Sequence, residues 1–156
     1  MKRILPTSIF LLLALCSTAS FGGDAATAAP ADAKVSVCFS PGGGCTKAVV
    51  DAIGKARKDI LVQAYSFTSI PIAKALAEAR KRGVTCNVIL DKSQRTERYS
   101  EADFLVDAGI NTLIDWRPKI AHSKVMVIDG ATVITGSFNF TKSAESENVE
   151  IGRAHV

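Results

Sequence analysis

The chain is expected to be an α/β protein: a mixed β-sheet flanked by helices on both faces. Three observations predict this. Short apolar runs of strand character alternate with amphipathic stretches of helical spacing. An Asp-Gly pair, Asp129-Gly130, joins two further apolar runs, a hairpin signal that adds antiparallel pairing to the β-α alternation. The length, 156 residues with 47% hydrophobic composition, suits one packed domain better than two.

The elements follow in order. "KVSVCFS" (34–40) has strand alternation, and "TKAVVDAIGKARKD" (46–59) carries apolar residues at helical spacing. "ILVQAYSF" (60–67) reads as a second, mostly buried strand. "IPIAKALAEARKR" (70–82) is an amphipathic helix stopped by Gly83. "VTCNVIL" (84–90) gives a third strand, "YSEADFLVDAG" (99–109) a third helix, and "NTLIDW" (111–116) a fourth strand. "KVMVID" and "ATVIT" form the hairpin, "GSFNFTKSAES" a loop, and "ENVEIGR" the start of another strand. No internal repeat is visible.

The first residues lie outside this pattern. Lys2 and Arg3 precede an apolar run over 4–14, and Ser17, Thr18, Ala19 and Ser20 follow it. This is the layout of a secretory signal peptide, assigned to 1–22, with cleavage after Ala19 or a few residues later. The run is too short for a permanent membrane anchor, and the bulky Leu15 before Cys16 fits a lipid-anchoring signal poorly. Residues 23–33, small and featureless, read as a linker, and 34–156 as one domain. The expected location is the periplasm or outside the cell, with no stable membrane insertion after cleavage. Loss of Lys2 and Arg3 lowers the formal net charge from +4 to about +2, so overall charge says little about an anionic partner.

Of four cysteines, Cys16 leaves with the leader. Export permits disulfides, and Cys38 and Cys45 flank the turn-rich "FSPGGG", which can let their sulfurs meet. The alternative is three free thiols. Cys86, in a strand pattern, reads as a small buried hydrophobe. No Cys/His ligand spacing supports a zinc site.

The chemistry concentrates in "IAHSKVMVIDGATVITGSFNF" (120–140). Strand side chains alternate faces, so His122 and Lys124 point the same way if this segment is extended. Asp129 has the opposite parity and sits at the turn, so it reads as a turn former and salt-bridge partner rather than a substrate contact. Ser137 and Asn139 can share a face, and Gly136 leaves room for a close approach. Lysine offers a point charge to a phosphate oxygen, and Asn and Ser offer hydrogen bonds. Histidine can attack phosphorus or protonate a leaving oxygen. No acidic cluster accompanies them, which disfavours two-metal phosphodiester chemistry. The competing reading is a core histidine in an ordinary hairpin.

The spacing decides between them. His122, Lys124, Asp129, Gly136, Ser137 and Asn139 spell H-x-K-x4-D-x6-G-S-x-N, which resembles the signature of the phospholipase D superfamily. "VQAYSFTSIPIAKAL", "VILDKSQ" and "GSFNFTKSAE" are similar to its small secreted bacterial endonucleases, and the resemblance covers roughly 35–151. The resemblance implies a phospholipase D/nuclease-like fold and a metal-independent phosphodiesterase that needs no cofactor. One motif histidine attacks the phosphodiester to form a phosphohistidine, and a second protonates the leaving oxygen and then activates water. This chain carries one motif, and His155 has no motif around it. The resemblance therefore implies a homodimer in which His122 of each subunit serves one shared site. An acid that orients the imidazole is implied after the Gly-Ser loop; Glu150 is preferred to Glu147. Family members continue further past this strand, so C-terminal truncation is an expectation too.

Substrate choice rests on other residues. Lys92, Arg95, Arg98, Lys119 and Lys142 could line a phosphate-binding face, although a solvated loop is the plain alternative. Trp116 is expected as a buried rim aromatic rather than a stacking group. The expected function is a nonspecific endonuclease acting on DNA, with RNA open. The alternatives are a phospholipase D acting on lipid headgroups and a non-catalytic polyanion-binding domain.

Overall fold

The computed structural model describes residues 33–155, with side chains through Gly152. The leader assigned to 1–22 and nearly all of the 23–33 linker lie outside the described residues. Seven strands form one sheet: β1 (Val35–Ser40), β2 (Asp59–Ala64), β3 (Thr85–Asp91), β4 (Asn111–Asp115), β5 (Lys124–Ile128), β6 (Thr132–Gly136) and β7 (Glu150–His155). Their order is β1-β7-β6-β5-β2-β3-β4. β2, β3 and β4 run parallel, and the remaining pairs are antiparallel. The sheet is mixed, as the alternation and the hairpin predict.

Four helices accompany it: α1 (Cys45–Lys55), α2 (Ile70–Lys81), α3 (Ala102–Asp107) and α4 (Lys142–Ser146). Their buried side chains join one core with alternate strand residues, including Ile60, Val62, Val88, Leu90, Met126 and Ile134. The intervening residues Val37, Phe39, Leu61, Ile89, Leu113 and Ile151 are exposed. Among the described residues the helices pack on the core-bearing face of this mixed α/β sheet, where the sequence reading expected helices on both faces. Nearly unbroken apolar runs such as those of β2 and β3 suit two-sided burial, but the strand parity leaves Leu61 and Ile89 exposed.

Local chemistry explains the joints. Asp129 and Gly130 both adopt positive φ, 55° and 66°, and the Ala131 N–H donates to the Ile128 carbonyl at 3.0 Å, closing the tight turn between β5 and β6. Among the described residues the Asp129 carboxylate makes no salt bridge. It accepts the backbone N–H groups of Arg57, Lys58 and Asp59 at 2.7–3.2 Å, fastening the α1–β2 connection to the hairpin.

α1 has no acid in its own first turn. Glu145 of α4 supplies one, accepting from the Gly44 N–H at 3.1 Å and the Thr46 N–H at 2.6 Å. Nearby, a disulfide joins Cys38 of β1 to Cys45 at the start of α1, and Cys86 is a buried free thiol whose pKa burial raises. α4 lies where the sequence reads as loop; Thr141 caps it by accepting from the Ala144 N–H at 3.1 Å.

Candidate active site

The motif residues gather at one end of the sheet because the strand registers bring them there. Lys124 opens β5 opposite Ala64, the last residue of β2. Gly136 closes β6 opposite Gly152 of β7. Glu150 opens β7 opposite Ser40, the last residue of β1. Asp91 ends β3 at the same edge.

His122 is exposed and sits two residues before β5. Its ring packs on Tyr65, with centroids 4.6 Å apart and planes tilted by 58°. Lys124 is 7% exposed. Its Nζ donates to the His122 carbonyl at 3.1 Å and lies 5.1 Å from the centre of the same Tyr65 ring. Tyr65 thus braces both groups, and its own N–H donates to the Ser123 carbonyl at 2.7 Å. Burial lowers the Lys124 pKa below the ordinary lysine value, and the negative charge of Glu150 works against that shift. Glu150 is half-buried, whereas Glu147 is exposed and its N–H ends α4 on the Ser143 carbonyl. Of the two acids, Glu150 is the one in electrostatic reach of Lys124.

The Gly-Ser loop is tied to β7. A Cβ at Gly136 would collide with the Ile151 carbonyl oxygen, so the close approach that requires glycine here is made by β7 itself, not left for a ligand. The Ser137 N–H donates to the Ile151 carbonyl at 3.0 Å, and its Oγ accepts from the Ile151 N–H at 3.1 Å. The hydroxyl proton remains available as a donor. Asn139 Oδ1 is buried without a hydrogen-bond partner. Such a group costs about 1–3 kcal/mol; a turned-over carboxamide would present its two N–H donors at the same spot.

Two supports were missed in the sequence. The buried Asp91 carboxylate accepts from the Ala121 N–H at 2.7 Å and the Ser93 N–H at 2.9 Å. Burial alone would raise its pKa, but these bonds and the nearby Lys92 charge outweigh it and hold the group below its ordinary value. Gln94, also buried, accepts from the Phe67 N–H at 3.0 Å. Both lie in "VILDKSQ", where only the basic residue drew attention; a buried acid and amide in a turn had no local pattern to mark them.

The five basic residues have different surroundings. Lys92 donates to the Pro118 carbonyl at 3.1 Å and so braces the segment before His122. Arg95 and Arg98 border a groove of about 270 Å³ with Glu97 and Asp103. Arg98 and Lys142 border another of about 610 Å³. Lys119 is exposed and lines neither groove. Trp116 is 62% exposed rather than a buried rim aromatic. Among the described residues no group of three or more His, Cys, Asp or Glu side chains converges as a metal site, and no helix is long and apolar enough to cross a membrane.

Comparison with known proteins agrees with this geometry. The family model described as "Cardiolipin synthase, PLD-like domain" matches residues 49–154. A protein of Rickettsia conorii named Phospholipase D is 45% identical over 117 residues, which is 75% of this chain and 58% of that protein. The chain thus spans a little over half the length of such curated relatives. Among solved structures, the phospholipase D family member Nuc from Salmonella typhimurium aligns with a TM-score of 0.76 and 40% identity, over 80% of this chain and 83% of that one. NucT from Helicobacter pylori aligns with a TM-score of 0.71 and 26% identity, over 80% and 86%. With the signature residues assembled at one sheet end and the family model spanning most of the domain, the chain belongs to the phospholipase D superfamily.

Proposed function

We propose that this protein is a metal-independent phosphodiesterase, a nonspecific endonuclease on DNA or RNA, with an active site shared by two copies of the chain. The observation that carries the reading is the convergence of His122, Lys124, Ser137, Asn139 and Glu150 at one sheet end around a single motif histidine. Lys124 and the Ser137 and Asn139 donors hold the phosphate oxygens. His122 Nε2 or Nδ1 attacks phosphorus, forming a P–N bond as the P–O bond to the leaving group breaks. His122 of the second copy gives its proton to that oxygen. It then takes a proton from water, whose oxygen attacks phosphorus and releases the first histidine. Glu150 favours the ammonium form of Lys124. Asp129 and Gly136 act structurally, in the turn and against β7. Export to the periplasm or the medium belongs to the same proposal and rests on the leader-like residues 1–22.

Arg98 and Lys142, which line one groove together, favour nucleic acid. Phospholipid headgroups are the second reading, favoured by the name of the Rickettsia relative. Plasmid DNA incubated with the purified protein in EDTA tests the choice. Nicking that persists in EDTA and vanishes in His122→Ala supports the nuclease. Choline release from phosphatidylcholine vesicles without nicking would establish the lipid reading instead. Plasmid binding with neither activity would leave a polyanion-binding domain.

A further inference from the structure

We propose that Tyr99, with Arg98 beside it, is a stacking platform for an unpaired nucleobase next to the scissile phosphate. This rests on the nucleic-acid reading and narrows it to single-stranded substrate. Tyr99 lies between the 3-10 turn Lys92–Arg95 and α3, yet its ring is 66% exposed and stays out of the core. The Arg98 guanidinium lies 5.3 Å from the ring centre, so two planar groups are presented together.

Both border the groove of about 610 Å³, a size that accepts a small planar ligand. One groove residue is tied to the chain next to the site. Thr68 lines it, and the Thr68 N–H donates to the carbonyl of Phe140, the residue after Asn139, at 3.0 Å. Lys142 lines the same groove from the start of α4. A phosphate held by Lys124 and Asn139 would therefore have its neighbouring nucleotide directed along Thr68, with the next phosphate near Lys142 and Arg98. Glu101 is the one acid among the residues that line the groove. In a duplex each base face is already covered by its neighbours, so an aromatic platform can engage only a base that is unstacked.

The test uses the full chain with His122→Ala to stop cleavage, and labelled single-stranded and duplex oligonucleotides of one sequence. Adding Tyr99→Ala should weaken single-strand binding by about 5- to 100-fold, change duplex binding by less than about twofold, and be rescued by Tyr99→Trp. Unchanged single-strand affinity, equal losses on both strand forms, or no rescue by tryptophan would each overturn the platform while leaving the nuclease reading intact. A His122→Ala parent that binds neither oligonucleotide would overturn the nucleic-acid reading and the platform with it.

Discussion

Under the proposed function, Lys124 trades stability for chemistry. It is buried with one hydrogen bond to a carbonyl and a carboxylate in its field, and burying a charge costs free energy that such partners only partly offset. Lys124→Met should lower turnover about 100- to 1,000-fold while leaving the melting temperature equal or higher; a large fall in melting temperature would contradict this. The lowered pKa also has a sign. The phosphate needs the ammonium form, so activity should decline as pH rises through a folded value below 10.5, and a pH–rate profile checks it. Asp91 acts at a distance by holding Ala121, the neighbour of His122. Asp91→Asn should reduce kcat by about 10- to 100-fold through a small displacement of the imidazole, with KM little changed. Equal kcat for both proteins would remove Asp91 from the positioning role.

Elements stand or fall on joints between distant segments. Asp129 accepts three backbone N–H groups of the α1–β2 connection, and its pKa is held low, first by the Lys58 N–H. A lowered carboxylate pKa adds stability that is present above the ordinary value of 3.8 and lost as pH falls through the folded one. Asp129→Asn should therefore flatten the fall of the urea midpoint below pH 3.8; an unchanged slope would place the titrating group elsewhere. The Cys38–Cys45 bridge closes a loop of sequence separation 7, so its removal in Cys38→Ser/Cys45→Ser should cost about 2 kcal/mol in denaturant unfolding. The hairpin and the longer helices were legible because their signals are local: positive φ at Asp-Gly, and apolar residues at helical spacing. α4 was not, since a five-residue helix held by a cap and by Glu145 reaching α1 has no periodicity of its own. Tyr65, Asp91 and Gln94 were hidden for the same reason. Their roles come from partners far along the chain, which no local pattern records.

For the whole molecule, one motif histidine per chain makes the assembly the unit of function under the shared-site proposal. Wild-type protein unfolded and refolded with an equal amount of His122→Ala should show about one quarter of the wild-type activity per unit of total protein, because mixed pairs hold one histidine. Retention of one half would mean that each chain works alone. The sheet order carries a further consequence. β7 lies between β1 and β6, so the first and last of the described strands are hydrogen-bonded neighbours. Such remote pairing forms late and slowly. Until β7 inserts, Glu150 is absent from the site, Ser137 lacks its Ile151 partners, and β1 lacks its paired neighbour. If the proposed function and export hold, a chain still emerging from the ribosome, or kept unfolded for passage across a membrane, has no assembled site, and topology itself delays catalysis until the chain has folded.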